Sequence, residues 1–415
     1  MARERAVISG LRYRDLFRDH EFSGMYAADV LTLLGTYMGR FAVAALVLDR
    51  TGSVAMTAGV FAASYLPHVF GPWLATLADI FPTKGLMVLA DISRAAIALV
   101  LVIPDVPYWL ILVVLFTIET IQIPFGASRL ATLADVLTKE EFPVGNALVA
   151  ATRQALQVLS FAIGGVIVYA VDPEPALYVN AASFLVSALL IQAFVRARPV
   201  AWHRLDERPS IWTGTKDGLA FIRDAPHMTA WFSLLAVGPG MVVVAEALAL
   251  PWAHQLGWDE RVAALMMSAI ALGGVAGLVV FGRARAEQQF ALVYPLAYSA
   301  AGIVALAGLA GWLTHSPVPV MVVLFFSGAS LCYLVAIQTK VAATIPREAR
   351  GRIFGLGNTV MQLSQGSAIL IAGLVGEGVR IGWVLIGLGC IGFVAISLIY
   401  LGDRSRTRVH ADAHA

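Results

Sequence analysis

The sequence predicts an all-α polytopic membrane protein, with twelve transmembrane helices in two pseudo-symmetric six-helix bundles. Three observations predict it: a composition too apolar for water, a succession of apolar runs of spanning length, and a repeat at half the chain length. Of the 415 residues, 59% are hydrophobic and 13% are charged, with a mean hydropathy of +0.78. Soluble domains carry about 25% charged residues, and a water-soluble chain this apolar would expose large apolar patches. A bilayer is the solvent in which such a composition is stable. The two cysteines, Cys332 and Cys390, lie inside apolar segments and suggest neither a disulfide framework nor a metal site.

A spanning helix needs about 20 mostly apolar residues. Runs of that kind fall at 22–48, 53–79, 86–103, 107–135, 144–170, 177–195, 228–252, 261–282, 289–313, 318–343, 353–376 and 381–401. The first twenty residues are basic and polar without an apolar core, so they read as a tail and not as a signal peptide. One connection is long, 196–227, and holds a possible amphipathic helix ending near Arg223. The expected organisation is residues 1–195 as tail plus first bundle, 196–227 as inter-domain loop, 228–402 as second bundle, and 403–415 as a closing tail.

Basic residues set the orientation, because cytoplasmic loops retain Lys and Arg. Of 29 Lys and Arg, 22 fall in the tails and alternate loops, three (Arg50, Arg261, Arg380) in the opposite loops, and four inside spans. Both termini are therefore expected in the cytoplasm, in a multi-pass protein of the inner membrane.

An internal repeat supports the two halves. Gln154, Gln157 and Gly165 recur as Gln362, Gln365 and Gly373 at a constant offset of 208 residues, and Lys139-Glu140 aligns with Arg347-Glu348. Charged and amide matches at one offset are not expected of unrelated apolar helices.

Three stretches carry a family resemblance. GPWLATLADIFPTKGLMVLADISRA, with Asp79, Lys84, Asp91 and Arg94, is similar to the signature between spans two and three of major facilitator transporters. ASRLATLADVLTKEEFPVGNAL with the following TRQ and GGV, and IPREARGRIFGL in the second half, resemble the macrolide-efflux and enterobactin-exporter branch. The resemblance spans essentially the whole chain and implies efflux by alternating access between two halves. There are departures. Ala75, Ile80 and Thr83 stand where the signature has glycine and further basic residues, and Ser160-Phe161 precede Gly164-Gly165 where an antiporter signature carries Gly-Pro. The second departure keeps symport and uniport open beside antiport.

A charge at mid-bilayer costs roughly 2.5–3.5 kcal/mol on insertion scales, so it faces a cavity or a partner. Asp29, Arg40, Glu119, Arg129, Arg153 and Glu246 lie well inside spans. Asp29 and Arg40 share one face of span one, roughly 16 Å apart along its axis. On span four, Glu119, Gln122, Gly126 and Arg129 form one polar stripe. Depth matching gives Asp29 the partners Arg129 or Arg153, and Arg40 the partners Glu119 or Glu246. Arg40 and Glu246 lie close to the repeat offset with opposite charge, which suggests an outer gate. Burial favours the neutral form of a carboxylic acid, which suits a group that loads and releases protons. Glu119 is the first candidate for that role and Asp29 the second. Gln122, Arg129 and Arg153 are candidates for the substrate cavity or gate. Asp91 and Arg94, with Asp79 and Lys84, are expected to form a cytoplasmic structural latch. Trp109, Trp252, Trp258, Trp312 and Trp383 fall near span ends and read as an interfacial belt. Gly273, Gly274 and Gly277 are expected to let helices approach closely.

No phosphate-binding glycine loop, metal-ligand cluster or nucleophile constellation is present. The expectation is therefore not an enzyme and includes no catalytic residue, metal or cofactor. The expected partners are a small-molecule substrate, protons as coupling ion and the lipid bilayer, with no nucleic acid and the chain acting as a monomer. The expected activity is proton-coupled export of a small amphipathic organic compound such as a drug, natural product or siderophore.

Overall fold

The computed structural model describes residues 13–198, 220–223, 225, 227–345 and 350–413. The amphipathic helix expected before Arg223 and the repeat pair Arg347-Glu348 fall mostly or wholly outside the described residues. Among the described residues the structure is helical with no strand. Twelve helices among the described residues are long and apolar enough to cross a membrane. They are α1 (His20–Thr51), α2 (Val54–Ile80), α3 (Thr83–Val102), α4 (Tyr108–Val136), α5 (Glu141–Ala170), α6 (Glu174–Phe194), α7 (Met228–Ala247), α8 (Glu260–Phe281), α9 (Val293–Leu313), α10 (Pro317–Thr344), α11 (Ile353–Gly378) and α12 (Ile381–Ser405). Each corresponds to one apolar run of the sequence, so the protein is an all-α, multi-pass membrane protein.

Local chemistry starts and breaks these helices. The Asp19 carboxylate accepts the N–H groups of Glu21 and Phe22, at 2.7 and 3.1 Å, and opens α1. Ser53 caps α2 by accepting the Met56 N–H at 3.1 Å, and Asp259 caps α8 by accepting the Val262 N–H at 3.1 Å. Such caps satisfy N–H groups that a helix start leaves without intrahelical partners. The α2 segment, read from sequence as one apolar run, is broken. After Val54–Tyr65 it passes through a 3₁₀ turn at Leu66–Phe70 and then the short helices Gly71–Leu74 and Leu77–Ile80. Pro67 and Pro72 each lack an N–H donor, which accounts for the breaks.

The Cα packing divides the chain into two compact units. The first comprises the described residues of Met1–Val43 and Phe70–Arg208, and the second those of Ala44–Val69 and Pro209–Ala415. In the first unit α3 packs between α4 and α6. Phe22, Met25, Met87, Phe125, Leu133 and Ile191 form a fully or nearly fully buried core there. In the second unit α8 lies along α10, α9 along α12, and the first part of α2 along α11. At the end of that last seam the Glu377 carboxylate accepts the Ser53 hydroxyl and the Ala55 N–H, at 3.1 and 2.9 Å. Lipid supplies no hydrophobic drive between helices, so close packing and interhelical polar bonds hold such seams. Large apolar side chains such as Leu89, Leu189 and Ile391 are exposed, as expected of surfaces that meet acyl chains.

Candidate functional site

The site is built on the polar stripe of α4, and each member of the stripe with a side chain meets a different partner. Arg40 on α1 donates to Glu119 at 2.6 Å. Near the other end of the same two helices Arg129 donates to Asp29 at 3.3 Å. The paired residues are eleven apart on α1 and ten apart on α4, and the helices run in opposite directions. The two ion pairs therefore form matched rungs that fix the register of α1 against α4. Arg153 on α5 approaches Asp29 at 3.7 Å, so one carboxylate serves two guanidiniums. Of the depth-matched partners considered from sequence, the structure brings Arg40 to Glu119 and both Arg129 and Arg153 to Asp29.

Between the two rungs, Gln122 accepts from Arg94 on α3. Arg94 also pairs with Asp91 one helical turn earlier, and Asp91 accepts the Ser187 hydroxyl of α6 at 2.6 Å. The guanidinium lies against the rings of Phe125 and Phe184, at 4.5 and 4.6 Å. Asp91 and Arg94 are the most deeply buried charges of this set, 0% and 1% exposed. They sit inside the first unit and are bonded to α4 and α6. Arg94 is also within electrostatic reach of Glu119 and Asp29, which links the pairs into one network. Three carboxylates (Asp29, Asp91, Glu119) and four guanidiniums (Arg40, Arg94, Arg129, Arg153) thus make up the network. Asp29 and Glu119 are 6% and 8% exposed, whereas the Arg153 side chain is 34% exposed and marks the more open edge.

The remaining sequence candidates lie elsewhere. Lys84 donates to the Gln192 carbonyl at 2.8 Å, tying the start of α3 to the end of α6. Asp79 lies within the last short helix of α2, Leu77–Ile80. Glu246 is buried in the last turn of α7 in the second unit, at 7% exposure.

Sequence reasoning missed several polar contacts. Glu21, buried in the first turn of α1, accepts the Arg196 N–H at 2.9 Å and two Arg198 guanidinium bonds at 2.5 and 3.0 Å. The hydrogen bond to Glu21 pushes the Arg198 guanidinium further up from its ordinary range. In the second unit Asp403 joins His227 at 2.7 Å and accepts from Tyr294 at 3.0 Å. The acidic residue in the first turn of an apolar helix was the visible signal for Glu21. Nothing local marks Asp403 as the partner of a residue 176 positions away. Among the described residues no group of His, Cys, Asp and Glu is arranged to hold a metal ion.

Twelve apolar spanning helices, with a buried ionic network inside the first unit, fit a membrane transporter of the major facilitator type. The chain belongs to the transmembrane secretion effector family of that superfamily, whose profile matches residues 15–413. It is 23% identical over 408 residues to an uncharacterised MFS-type transporter, YfiS, of Bacillus subtilis, covering 94% of each chain. It is 24% identical over 335 residues to the "Putative bacilysin exporter BacE" of Bacillus amyloliquefaciens, covering 80% of this chain and 83% of the relative. Among solved structures it resembles the nucleoside transporter NupG with a TM-score of 0.72, covering 92% of this chain and 99% of that one at 12% identity. The structure of tetrameric PepTSo2 aligns with a TM-score of 0.69 at 13% identity, covering 94% of this chain and 99% of that one. At these identities the structural likeness speaks for the fold alone.

Proposed function

We propose that the protein is a secondary active transporter that exports a small amphipathic organic compound by alternating access, coupled to proton antiport. The observation that carries this reading is the Arg40–Glu119 pair, buried between α1 and α4 at 2.6 Å. A buried carboxylate is held ionised by its guanidinium, and separating the two favours its protonation. Proton loading of Glu119 and release of Arg40 are then one event. A cargo that donates to Glu119 excludes the proton, which is the competition antiport requires. A cargo anion that engages Arg40 instead favours protonation, which would give symport, the second reading kept open by Ser160-Phe161. Asp29, which both Arg129 and Arg153 approach, is the second-choice proton carrier. Gln122, Arg129 and Arg153 would line the cargo path. A gating role for Arg40 and Glu246 rests on their repeat-equivalent positions in sequence. Export is favoured over uptake by the printed name of the bacilysin-exporter relatives. The proposed setting is the inner membrane, with both termini cytoplasmic and the chain monomeric.

The test is accumulation of a panel of fluorescent amphipathic cations and neutral compounds in energised inverted vesicles. Wild type should concentrate at least one of them, and an uncoupler should abolish the gradient. Glu119→Gln should lose this coupling while retaining exchange down a cargo gradient. Unchanged pH dependence and uncoupler sensitivity in Glu119→Gln would rule out its role as proton carrier.

A further inference from the structure

At one end of the second unit, α9 stops, α12 starts, and the short helix Ala249–Gln255 ends beside them. Between them lies a cavity of about 420 Å³ whose lining includes Trp252, Trp258, Trp312, Trp383, Arg380 and His315. The volume is in the range of small-molecule sites, about 300–1,000 Å³. Four of the nine tryptophans of the chain converge on it. A belt would spread those rings around the molecule, so four of the five belt candidates have a more specific arrangement than the sequence suggested.

The lining is chemically one-sided. Among the described lining residues no carboxylate occurs, while the Arg380 guanidinium, the His315 ring and the Thr314 hydroxyl can all donate. Gln255 commits its side-chain carbonyl to the Ile381 N–H at 3.1 Å, which turns its amide N–H groups to the donor side as well. The nearby Asp259 is engaged by Arg261 at 2.6 Å. Trp252, 1% exposed, forms the floor, and Gly311 packs on its indole, where a Cβ would collide. Trp312 and Trp383 are 60% and 54% exposed, with ring centroids 6.2 Å apart, and form an open aromatic lip.

We propose that this cavity binds the phosphate headgroup of an anionic phospholipid, with Arg380 as the phosphate anchor. Arginine matches phosphate through two parallel N–H donors, and indoles settle at the headgroup–acyl boundary, which is the depth of span ends. A water-soluble phosphate would gain nothing from the two exposed indoles, whereas a lipid lays its glycerol and upper acyl chain on them. The site is separate from the ionic network of the first unit and does not rest on proton coupling.

The experiment uses the full-length protein purified with an equimolar mixture of phosphatidylglycerol and phosphatidylcholine, with retained lipid read by native mass spectrometry. Phosphatidylglycerol should be retained over phosphatidylcholine by about tenfold, because both carry the phosphate but the choline lipid also brings a cation that Arg380 repels and that no carboxylate among the described lining residues offsets. Arg380→Gln should remove that preference, and Arg283→Gln, at an exposed cytoplasmic-loop position in the proposed orientation, should not. Tail-brominated phosphatidylglycerol should quench tryptophan emission more than the brominated choline lipid does, and Trp312→Leu/Trp383→Leu should lose the difference. Equal retention of the two lipids, an unchanged preference in Arg380→Gln, or full displacement by equimolar glycerol 3-phosphate would each overturn the proposal. The last outcome would identify a site for soluble phosphate.

Discussion

Arg94 is buried to 1% exposure; its two terminal nitrogens are engaged, while its Nε is buried without a hydrogen-bond partner among the described residues. Asp91 and Gln122 accept from it, and two phenylalanine rings face its plane. Removing it strands the Asp91 carboxylate with the Ser187 hydroxyl as its donor, at 2.6 Å. Arg94→Ala is expected to cost about 3–5 kcal/mol, the usual loss when one partner of a buried pair is removed. The double variant Asp91→Ala/Arg94→Ala should recover part of that in a detergent thermal-unfolding assay, and a strictly additive loss would show that the two do not act as a pair. Asp259 gives a second prediction, outside the spans. The Arg261 hydrogen bond, and after it the Val262 N–H, hold its carboxyl below the usual carboxylate range. Folding lowers this pKa, so the stabilisation is complete above the unfolded value of about 4 and is lost as pH falls through the lower folded value. Asp259→Ala should destabilise by about 1 kcal/mol at neutral pH through the lost cap. The gap in melting temperature to wild type should close below about pH 4; a gap that persists in acid would mean that the charge contributes nothing. Residue types and spacings on α1 and α4 were legible in the sequence, since helical geometry alone puts Glu119, Gln122 and Arg129 on one stripe. Depth narrowed the partners to Glu119 or Glu246 for Arg40 and to Arg129 or Arg153 for Asp29, but the choice between them and the Gln122–Arg94 contact were not legible, because a pairing across helices depends on how the helices dock.

At the scale of elements, the α1–α4 ladder and the α8–α10 seam show two ways to join helices in lipid. The ladder uses charge. The seam uses the absence of side chains: a Cβ on Gly273 would meet the Phe325 carbonyl, one on Gly277 the Ala329 backbone, and one on Gly328 the Ile270 carbonyl. The two backbones are therefore in direct contact, as the small-residue spacing of Gly273 and Gly277 leads one to expect. Gly277→Ala should cost about 1–3 kcal/mol by overpacking, and Gly277→Leu should leave little monodisperse protein on size-exclusion chromatography. Wild-type yield and melting temperature in Gly277→Leu would show that the seam does not need this contact. Span positions were legible to within a few residues, since bilayer thickness fixes the length of an apolar run. The interruptions were less so. The break at Leu66–Phe70 and the stop after Ala247 leave hydropathy unchanged, and Pro67 alone does not say whether a helix bends or ends.

At the scale of the molecule, the division into units places most of the buried charge in the first. Among the described residues Glu21, Asp29, Asp91, Arg94 and Glu119 are buried there, while the second contributes the buried Glu246. The distribution of basic residues over alternate loops, 22 against three, makes a definite topological prediction. A fluorescent-protein fusion after Ala415 should be bright, and an alkaline phosphatase fusion at Asp105 should be active, as each enzyme or fluorophore matures on opposite sides of the membrane. The reverse pattern at both positions would invert the proposed orientation.

The sequence by itself determined the class of solvent, the number and placement of the spans, the two-halves repeat and the family, because each follows from local composition or from matches along the chain. Tertiary structure alone decided which charges meet. It set Arg40 on Glu119, gave Asp29 two guanidiniums, drew Asp91 and Arg94 into the network of α3, α4 and α6, and gathered four tryptophans around one cavity beside Arg380. The physical reason is that hydropathy is a property of each segment, whereas a salt bridge or a cavity depends on the rotation and register of several helices at once.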